Sequence, residues 1–544
     1  MSATALSPTA TGLPVPPAPG RAVTGLAIRQ IRRTGPIVAV LAAGMTALVA
    51  ATYARVMADP AAAGSLAALA GNPAIRTLFG TPAGLDTAGG FTVWRVGTVT
   101  AVLLAAWSIL ATTRITRGEE DAGRWDVLLS GRIALRHTVV RHLAVVMLVP
   151  AATGCGITGV LLGAGTPLTG ALVHGIGTGL LGLFFAAVAA FTAQVFATRA
   201  PATGSAVAVL GVSLLARMIG DGITELGWLR WLSPFGLLAL SGPYVQDRAV
   251  PLLVLLAAVA VVAVAVPAAA GRREVRGGLI AAASGRRARL RLLGSVELFA
   301  IRRTLRPLTG WVLGVGAYFL LIGVTTVSVT EFLADNPVLA NEAARAGFAG
   351  LGSVAGFVAT LFAILAMPAG GFAAVRMAAF VSAETDRRMS LLAAAPVSRT
   401  RLLGVDLAAT AAAAAVLVTV AGLATWAGVA AIGGDLPLVA ALHGVWNILP
   451  IVLLSVGAAA FATGWAPGWV GVAGGLPATG GFLLLVIADS VAAPQWLREL
   501  SPFAHLAPVP LTGPDWAATA VMLGLAALLA GGGVAGYRRR DLRS

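Results

Sequence analysis

Long apolar stretches alternate with short arginine- or proline-rich segments along almost the whole chain. A helix that crosses a bilayer needs about 20 consecutive, mostly apolar residues. Stretches of this kind predict transmembrane helices over residues 36–56, 93–113, 142–165, 171–197, 203–222 and 249–270 in the first half, and over residues 308–330, 352–380, 404–431, 439–463, 467–489 and 515–536 in the second. The pattern therefore predicts an all-α membrane protein with six spans in each half.

The two halves repeat one another. Residues 219–235 and 487–503 align without a gap and share nine of seventeen residues. The shared positions include Asp221, Trp228, Arg230, Pro234 and Phe235 in the first copy, and Asp489, Trp496, Arg498, Pro502 and Phe503 in the second. Five further pairs follow in the same order: Ala27-Ile28-Arg29 with Ala300-Ile301-Arg302, Leu69-Ala70 and Asn72-Pro73 with Leu333-Ala334 and Asn336-Pro337, Glu120, Arg124 and Leu128 with Glu384, Arg388 and Leu392, His174-Gly175 with His443-Gly444, and Arg272-Arg273-Glu274 with Arg539-Arg540-Asp541. Self-similarity at this scale predicts one structural unit written twice.

These boundaries divide the chain into four parts. We predict a disordered cytoplasmic tail over 1–20, a first six-helix domain over 21–270, an arginine-rich cytoplasmic linker over 271–294 and a second six-helix domain over 295–544. Residues 21–34 place arginines on one helical face and apolar residues on the other, which is typical of a helix lying in the membrane interface.

The charge of the chain predicts its orientation in the membrane. Charged residues make up 11% of the sequence, against about 25% in soluble proteins. The net charge is +16 and every basic residue is arginine. A nucleic-acid surface is one reading, but the arginine-rich segment 271–307 has only Phe299 for stacking. With the N-terminus inside, cytoplasmic segments hold 30 of the 38 arginines, which predicts a multi-pass plasma-membrane protein with both termini cytoplasmic.

Two outer segments and two histidines stand out in the membrane region. The Trp-Leu-Arg repeat predicts a short interfacial or re-entrant helix broken at Pro234 and Pro502, since tryptophan favours the interface and proline disfavours helix before it. Asp221 and Asp489 fall at outer helix ends, where an interfacial role outweighs substrate contact. His174 and His443 begin the fourth span of each half, and a structural hydrogen bond is the simpler reading there. We expect no carboxylate in the middle of a span.

Two inner loops carry the chemistry that we consider functional. Residues 114–137 and 381–403 join the second and third spans, and each combines charged residues with a Leu-Leu pair. They are read either as solvated hairpins or as docking elements for a soluble partner, and their duplication favours docking.

An enzymatic site is not apparent. A phosphate-binding loop of the Walker type needs a lysine, and the sequence has none. Five histidines and one cysteine show no metal-ligand spacing. We expect no catalytic residue, no cofactor and no metal in this chain, and we expect Cys155 to be a packed thiol.

The chain resembles the ABC-2 type permeases. The resemblance rests on three duplicated features. A glutamate is followed by Gly-Arg or Arg-Arg and then Leu-Leu after the second span, Leu-Ser-Pro-Phe follows the fifth span, and Arg-Arg-acid-x-Arg follows the sixth. More narrowly, it resembles the fused twelve-span actinobacterial permeases described as polyketide-antibiotic exporters, a group also matched by Asn72-Pro73, Leu78-Phe79-Gly80, Gly89-Gly90-Phe91 and Trp94-Arg95. The second half departs from the pattern, because residues 351–360 show no clear counterpart of Trp94-Arg95.

The resemblance implies a fold, partners and roles. Each half would be one ABC-2 domain of the type V exporter kind, and two copies of a separate ABC ATPase, holding ATP and Mg²⁺, would dock below. Coupling loops would contain Glu119, Glu120, Arg124, Trp125, Leu128 and Leu129 in the first half, and Glu384, Arg388, Leu391 and Leu392 in the second. Connecting helices at 21–34 and 295–306 would carry Arg29, Arg32, Arg33, Arg302, Arg303 and Arg306. Substrates would be hydrophobic or amphipathic compounds such as drugs and polyketide-type antibiotics, moving along a path lined by the second and fifth spans of each half.

Two other classes of protein fit parts of this pattern. An ion-coupled twelve-span carrier also has two six-helix repeats, but the paired charged loops and the expected lack of mid-span carboxylates favour the ABC permease. A membrane enzyme acting on lipid or polymer would need a cluster of acidic residues or histidines at one membrane face, which the sequence lacks.

Overall fold

A computed structural model describes residues 19–57, 76–77, 80–131, 133–280, 292–335, 352–385, 396–490 and 493–540, whose regular structure is helical. In these residues, twelve helical segments are long and apolar enough to cross a membrane, as predicted. We number them as spans 1 to 12: Thr34–Tyr53, Ala88–Asp121, Leu135–Gly163, Leu168–Val195, Arg199–Gly222, Ala249–Ala270, Val296–Asp335, Val354–Thr385, Arg399–Ala431, Leu438–Trp465, Pro467–Leu485 and Trp516–Arg539. The protein is a multi-pass membrane protein.

Shorter helices flank the spans. Pro19–Ile31 precedes span 1, whose α-helix runs on to Met57. The α-helix of span 2 ends at Thr113, and a π-helical turn, Arg114–Gly118, and a short turn, Glu119–Asp121, complete the span. The remaining short elements are Arg124–Leu129, Thr224–Leu232, Pro234–Leu240, Gln495–Glu499 and Pro502–His505.

Three predicted elements differ from the observed ones. The prediction of a connecting helix over 295–306 that is separate from span 7 is wrong. Val296–Asp335 is one helix of 40 residues, with Pro307 inside it. Span 10 is interrupted between Leu438–Trp446 and Leu449–Trp465, where Pro450 enters the first turn of the second piece. Span 11 and its continuation to Ser490 combine 3-10, α and π segments, with prolines at 467 and 477.

The chain contacts divide it into two compact units. The first comprises Met1–Tyr53, Ala83–Leu214 and Arg230–Ser284, and the second comprises Ala54–Pro82, Leu215–Leu229 and Gly285–Ser544. In the first unit, Phe185 and Leu255 centre one apolar cluster and Trp125 belongs to another. In the second unit, Phe362 and Phe372 are buried in a large cluster. The tandem boundaries at 270 and 295 remain a prediction.

Glycines allow helices of each unit to approach closely. A Cβ on Gly154 of span 3 would lie 2.5 Å from the carbonyl oxygen of Gly175 in span 4. In the second unit, a Cβ on Gly464 would lie 2.4 Å from the carbonyl oxygen of Gly533 in span 12. Small residues of this kind let membrane helices pack backbone to backbone, where dispersion replaces the hydrophobic effect as the attractive force.

Tyr244 fixes the loop between spans 5 and 6 in the first unit. Its backbone has a φ of 67°, and its ring covers Gly89 and Gly170, where an added Cβ would lie 2.3 Å from ring atoms. Its hydroxyl lies 2.9 Å from the Thr166 hydroxyl. Burial raises the pKa of the Tyr244 hydroxyl further above its ordinary value.

The helix Pro19–Ile31 buries one of its faces, and its position in the membrane interface stays a prediction. Val23, Ala27 and Ile31 are buried, whereas Leu26 and Ile28 are exposed. Cys155 is exposed on span 3, so the expectation of a packed thiol is wrong. The sequence pattern could not decide this point, because a residue in a uniformly apolar run can face either protein or lipid.

Candidate functional site

Glu120 is buried at the end of span 2, where several donors converge on it. Its carboxylate accepts two hydrogen bonds from the Arg273 guanidinium, at 2.6 and 2.8 Å. The backbone N–H of Arg276 donates a third at 2.7 Å. Arg117, one turn earlier and also buried, lies 3.2 Å from the same carboxylate. Burying a carboxylate is costly unless it is paired and hydrogen bonded, and this one is both.

The same arginines join three chain segments. Arg117 donates to the carbonyl oxygens of Ala193 at 2.8 Å and Gly277 at 3.0 Å. Arg273 donates to the side-chain oxygen of Gln194 at 2.8 Å. The ends of span 2 and span 4 are therefore tied to the segment that follows span 6. We call Arg117, Glu120, Gln194, Arg273 and Arg276 the Glu120 cluster.

The loop after span 2 is held from several sides. The Asp121 carboxylate accepts the backbone N–H of Arg199 at 2.7 Å at the start of span 5. Arg124 donates to Glu119 at 2.7 Å. Gly123 has a φ of 73°, a left-handed conformation that suits glycine, and the helix Arg124–Leu129 begins after it.

The short helix Arg124–Leu129 turns its aromatic residue inward. Trp125 is 1% exposed and lies against the His142 ring, with centroids 5.3 Å apart. Leu128 and Leu129 are half-buried against the same apolar cluster. Val127 is 79% exposed. The outward face of the loop is therefore centred on Val127, whereas the sequence had directed attention to Trp125 and the Leu-Leu pair.

Glu384 occupies the corresponding place at the end of span 8. Its carboxylate forms an ion pair with Arg540, just after span 12. Arg540 also donates to the carbonyl oxygen of Thr463 at the end of span 10, at 2.7 Å, and its guanidinium lies 5.6 Å from the Tyr537 ring centre. Arg399 donates to the carbonyl oxygen of Arg540. We call Glu384, Arg399, Thr463, Tyr537 and Arg540 the Glu384 cluster.

The two clusters are equivalent in sequence and in construction. Glu120 and Glu384 are repeat partners, and so are Arg273 and Arg540. In each unit the arginine after the last span of a half joins the ends of the second and fourth spans of that half. The repeats were visible in the sequence, but nothing there paired the glutamate with the distant arginine. Arg388, Leu391 and Leu392 lie outside the described residues.

The Leu-Ser-Pro-Phe repeat also has one structure in both copies. The Ser233 hydroxyl donates to the carbonyl oxygen of Ser213 at 2.6 Å, and the Ser501 hydroxyl donates to that of Gly481 at 2.8 Å. Each serine also accepts a backbone N–H from the helix that begins at the following proline. The predicted break therefore falls at the serine, which ties the helix that begins at the proline to a carbonyl twenty residues earlier.

Other residues of the outer repeat divide into buried and exposed sets. Phe235 and Phe503 are buried, whereas Trp228 and Trp496 are more than half exposed, as suits an interfacial ring. Arg230 and Arg498 are half-buried, and so is Pro502, while Pro234 is buried. Asp221 is buried beside Arg217, with an oxygen–nitrogen distance of 2.6 Å. The side chain of Asp489 lies outside the described residues.

The paired histidines differ in environment. His174 is 2% exposed, and its ring lies against Gly97 of span 2. His443 is exposed and lies 6.4 Å from the Trp446 ring. A shared role for the two residues therefore finds no support in their surroundings.

One buried carboxylate escaped the sequence reading. Asp406 lies seven residues into span 9 and is 2% exposed. It contacts Arg376 of span 8 and Arg303 of span 7. Asp406 lies near the start of span 9 rather than in its middle, so the expectation about mid-span carboxylates did not cover it. A single Asp in an alanine-rich run gave no periodic signal, and its two arginines are 30 and more than 100 residues away along the chain.

The arginines of the predicted connecting helices are largely accessible. Arg29, Arg32, Arg33 and Arg306 are exposed, and Arg302 and Arg303 are half-buried. Among the residues that the structure describes, no group of three or more histidine, cysteine, aspartate or glutamate side chains could hold a metal ion.

Comparisons with known proteins agree with the duplicated architecture. The family model described as "Multidrug efflux system permease Rv1217c, C-terminal domain" matches two segments of the chain, residues 21–272 and 293–538, which suggests tandem halves. The multidrug efflux system permease protein Rv1217c of Mycobacterium tuberculosis (strain ATCC 25618 / H37Rv) is 33% identical over 491 residues, covering 89% of this chain and 87% of that protein.

Proposed function

Because the chain belongs to the family of the multidrug efflux system permease Rv1217c, we propose that it is the transmembrane permease subunit of an ABC exporter. It moves hydrophobic or amphipathic compounds, such as drugs and polyketide-type antibiotics, out of the cell. ATP hydrolysis takes place on a separate ABC ATPase, of which two copies bind one permease chain. ATP and Mg²⁺ belong to that partner.

The observation that carries this proposal is the pair of equivalent clusters around Glu120 and Glu384. Each cluster joins the ends of three spans of its half to the start of the loop that would contact the ATPase. A push on such a loop is transmitted to several spans at once, because charge-assisted hydrogen bonds between buried or half-buried groups resist separation. Two such elements match two ATPase copies.

In the first unit the contact with the ATPase is made by the outward face of the helix Arg124–Leu129. Val127 supplies an apolar contact there, and Arg124 and Asp126 flank it with charge. Trp125, on the opposite face of this helix, packs into the apolar core and holds the helix in place. The loops and both termini lie on the cytoplasmic side in this proposal, as the arginine distribution predicts.

An ion-coupled secondary carrier is the second candidate, and the buried Asp406 favours it more than the sequence did. Intramembrane carboxylates are frequent in proton and ion pathways. Asp406 is, however, flanked by two arginines, Arg376 and Arg303, rather than standing alone in its span. This surplus of fixed positive charge disfavours a cation site.

The test is to purify the chain after co-expression with a candidate ABC ATPase and to measure ATP hydrolysis in lipid vesicles, with and without amphipathic drugs. We expect a stable complex whose hydrolysis is stimulated by drug. The double variant Glu120→Ala, Glu384→Ala should still assemble with the ATPase, but its ATP hydrolysis should no longer be coupled to drug export. No association, together with drug movement that follows an ion gradient, would support the carrier instead.

A further inference from the structure

The group around Asp406 distinguishes the second half from the first. Asp406 and His142 stand at the same place, seven residues into the third span of their halves. Arg376 and Thr112 both precede the cluster glutamate by eight residues, and Arg303 and Gln30 both follow the duplicated Ala-Ile-Arg. The second half thus has three charged residues where the first half has neutral or weakly basic ones. We call Arg303, Arg376 and Asp406 the Asp406 group.

The Asp406 group is loosely assembled. Arg376 and Arg303 approach the same oxygen of Asp406, at 3.5 and 3.7 Å. Arg376 also donates to the Thr304 hydroxyl at 3.0 Å. The other Asp406 oxygen and the Nε of Arg376 are buried without a hydrogen-bond partner in the part of the chain that the structure describes. Arg376 is 5% exposed and Asp406 is 2% exposed, and buried groups of this kind normally have partners.

The charge and the unused hydrogen-bonding capacity together specify a ligand. Two guanidinium groups face one carboxylate, so the group is net positive and favours an anion. The free Nε of Arg376 needs an acceptor, and the free Asp406 oxygen needs a donor. A phosphate group with a hydroxyl or ammonium donor close to it supplies both. Guanidinium groups bind phosphate oxygens well because their planar N–H geometry matches them.

The group also has an accessible side. The Arg303 side chain is 21% exposed and lies on the first turns of the long helix Val296–Asp335. These turns expose Leu298, Ile301 and Leu305 beside the partly exposed, basic Arg303. A helical segment with exposed apolar and basic residues suits the membrane surface, where lipid phosphates lie.

We propose that the Asp406 group binds one phosphate group carrying a neighbouring hydrogen-bond donor, and that the first half has no such site. Arg376 and Arg303 bind the phosphate oxygens, and Asp406 accepts a hydrogen bond from the neighbouring hydroxyl or ammonium group. The phosphate comes from a lipid headgroup entering along Arg303 or from a free phosphate compound.

The first half supplies a matched variant. Arg303→Gln, Arg376→Thr and Asp406→His together install the residues that the first half has at the same positions. Arg303→Gln alone changes only the partly exposed arginine and serves as a second variant that is expected to fold. Arg306→Gln is the control, since it removes an exposed arginine from the same helix outside the group.

The full chain is purified in a detergent without phosphorus, and phosphatidylglycerol or phosphatidylcholine is added. Phosphatidylglycerol carries hydroxyl donors, and phosphatidylcholine carries none. Bound phosphorus per chain is then measured after removal of free lipid. In a second arm, melting temperature is compared in inorganic phosphate and in chloride at equal ionic strength.

We expect the native chain and Arg306→Gln to retain phosphatidylglycerol selectively. We expect Arg303→Gln and the triple variant to bind it at least about tenfold more weakly. This result supports the proposal with lipid as the source of the phosphate. Stabilisation by inorganic phosphate with the same variant pattern supports it with a free phosphate as the source. Equal behaviour of the native chain and the triple variant in both arms overturns it.

Discussion

The carboxylate of Glu120 and the guanidinium of Arg273 lie 2.6 Å apart, and both side chains are 1% exposed. They are 153 residues apart in sequence, yet together with Gln194 they connect three spans of the first unit. The same relationship joins Glu384 and Arg540 in the second unit. A contact that recurs in both copies of a repeat is a property of the repeated unit rather than of one local environment.

Arg273→Ala should destabilise the protein strongly. It would leave Glu120 with Arg117 as its remaining guanidinium partner and would leave the Gln194 oxygen without its donor. Removing one partner of a buried ion pair lowers the free energy of unfolding by about 3–5 kcal/mol. Because Arg117 still faces Glu120, we expect a loss at the lower end of this range. The melting temperature in detergent would measure it. Arg272→Ala, at an exposed neighbouring arginine, should change little, and an equal loss in both variants would contradict the assigned role.

The Glu384–Arg540 pair can be tested by exchanging its charges. Glu384→Arg places two guanidinium groups together and should lower both melting temperature and drug-stimulated hydrolysis with the ATPase. Adding Arg540→Glu restores opposite charges and should recover part of each loss, since the coupling between contacting groups is about 0.5–3 kcal/mol. If the double variant is no better than Glu384→Arg alone, the pair does not act as a unit.

Val127→Asp should weaken binding of the ATPase without destabilising the permease. Val127 is exposed on the short helix Arg124–Leu129, so a carboxylate there remains solvated in the free permease. In the complex the same carboxylate would lose its water at an apolar contact with the ATPase, which costs binding free energy. Co-purification of the two subunits would show the loss. Trp125→Ala gives the contrast, because it removes a buried side chain. It should lower the free energy of unfolding by about 3–5 kcal/mol, and the melting temperature should fall accordingly. Normal co-purification of Val127→Asp would place the contact elsewhere.

Ser233→Ala and Ser501→Ala should have similar effects, because each removes the same bond to a carbonyl twenty residues earlier. Each should cost about 1–3 kcal/mol, since a buried carbonyl loses its side-chain donor. Ser130→Ala removes an exposed hydroxyl that bonds within its own turn and should be nearly neutral. Melting temperatures that fall for one outer serine and not for the other would show that the two copies have diverged there.

The orientation of the chain can be tested with single cysteines. In a Cys155→Ala background, Val127→Cys should react with a membrane-impermeant maleimide after the cell membrane is opened and not before. Gly513→Cys, in the exposed segment between spans 11 and 12, should react in intact cells. The reverse pattern would place both termini outside and would contradict the reading of the arginine distribution.

Much of the fold was predictable because a span leaves a signal at every residue. Apolar runs gave the twelve spans, and duplication gave the equivalence of Glu120 with Glu384. The charged contacts were not predictable, because Arg273 and Arg540 reach their partners only through the packing of three helices. The direction of Trp125 was also hidden, since a tryptophan among charges fits a protein interface as well as a core. Asp406 was overlooked for a different reason, because a single polar residue in an apolar run has no periodicity.

The presence of both halves in one polypeptide has a consequence for how such a protein can change over generations. An assembly of two identical chains must place the same residue at both equivalent positions, so any charge it gains is gained twice. Here His142 and Asp406 occupy equivalent positions, and so do Thr112 and Arg376. Because both halves belong to one chain, one half can carry charged residues where the other carries neutral or weakly basic ones, while both keep the glutamate–arginine contact that they share.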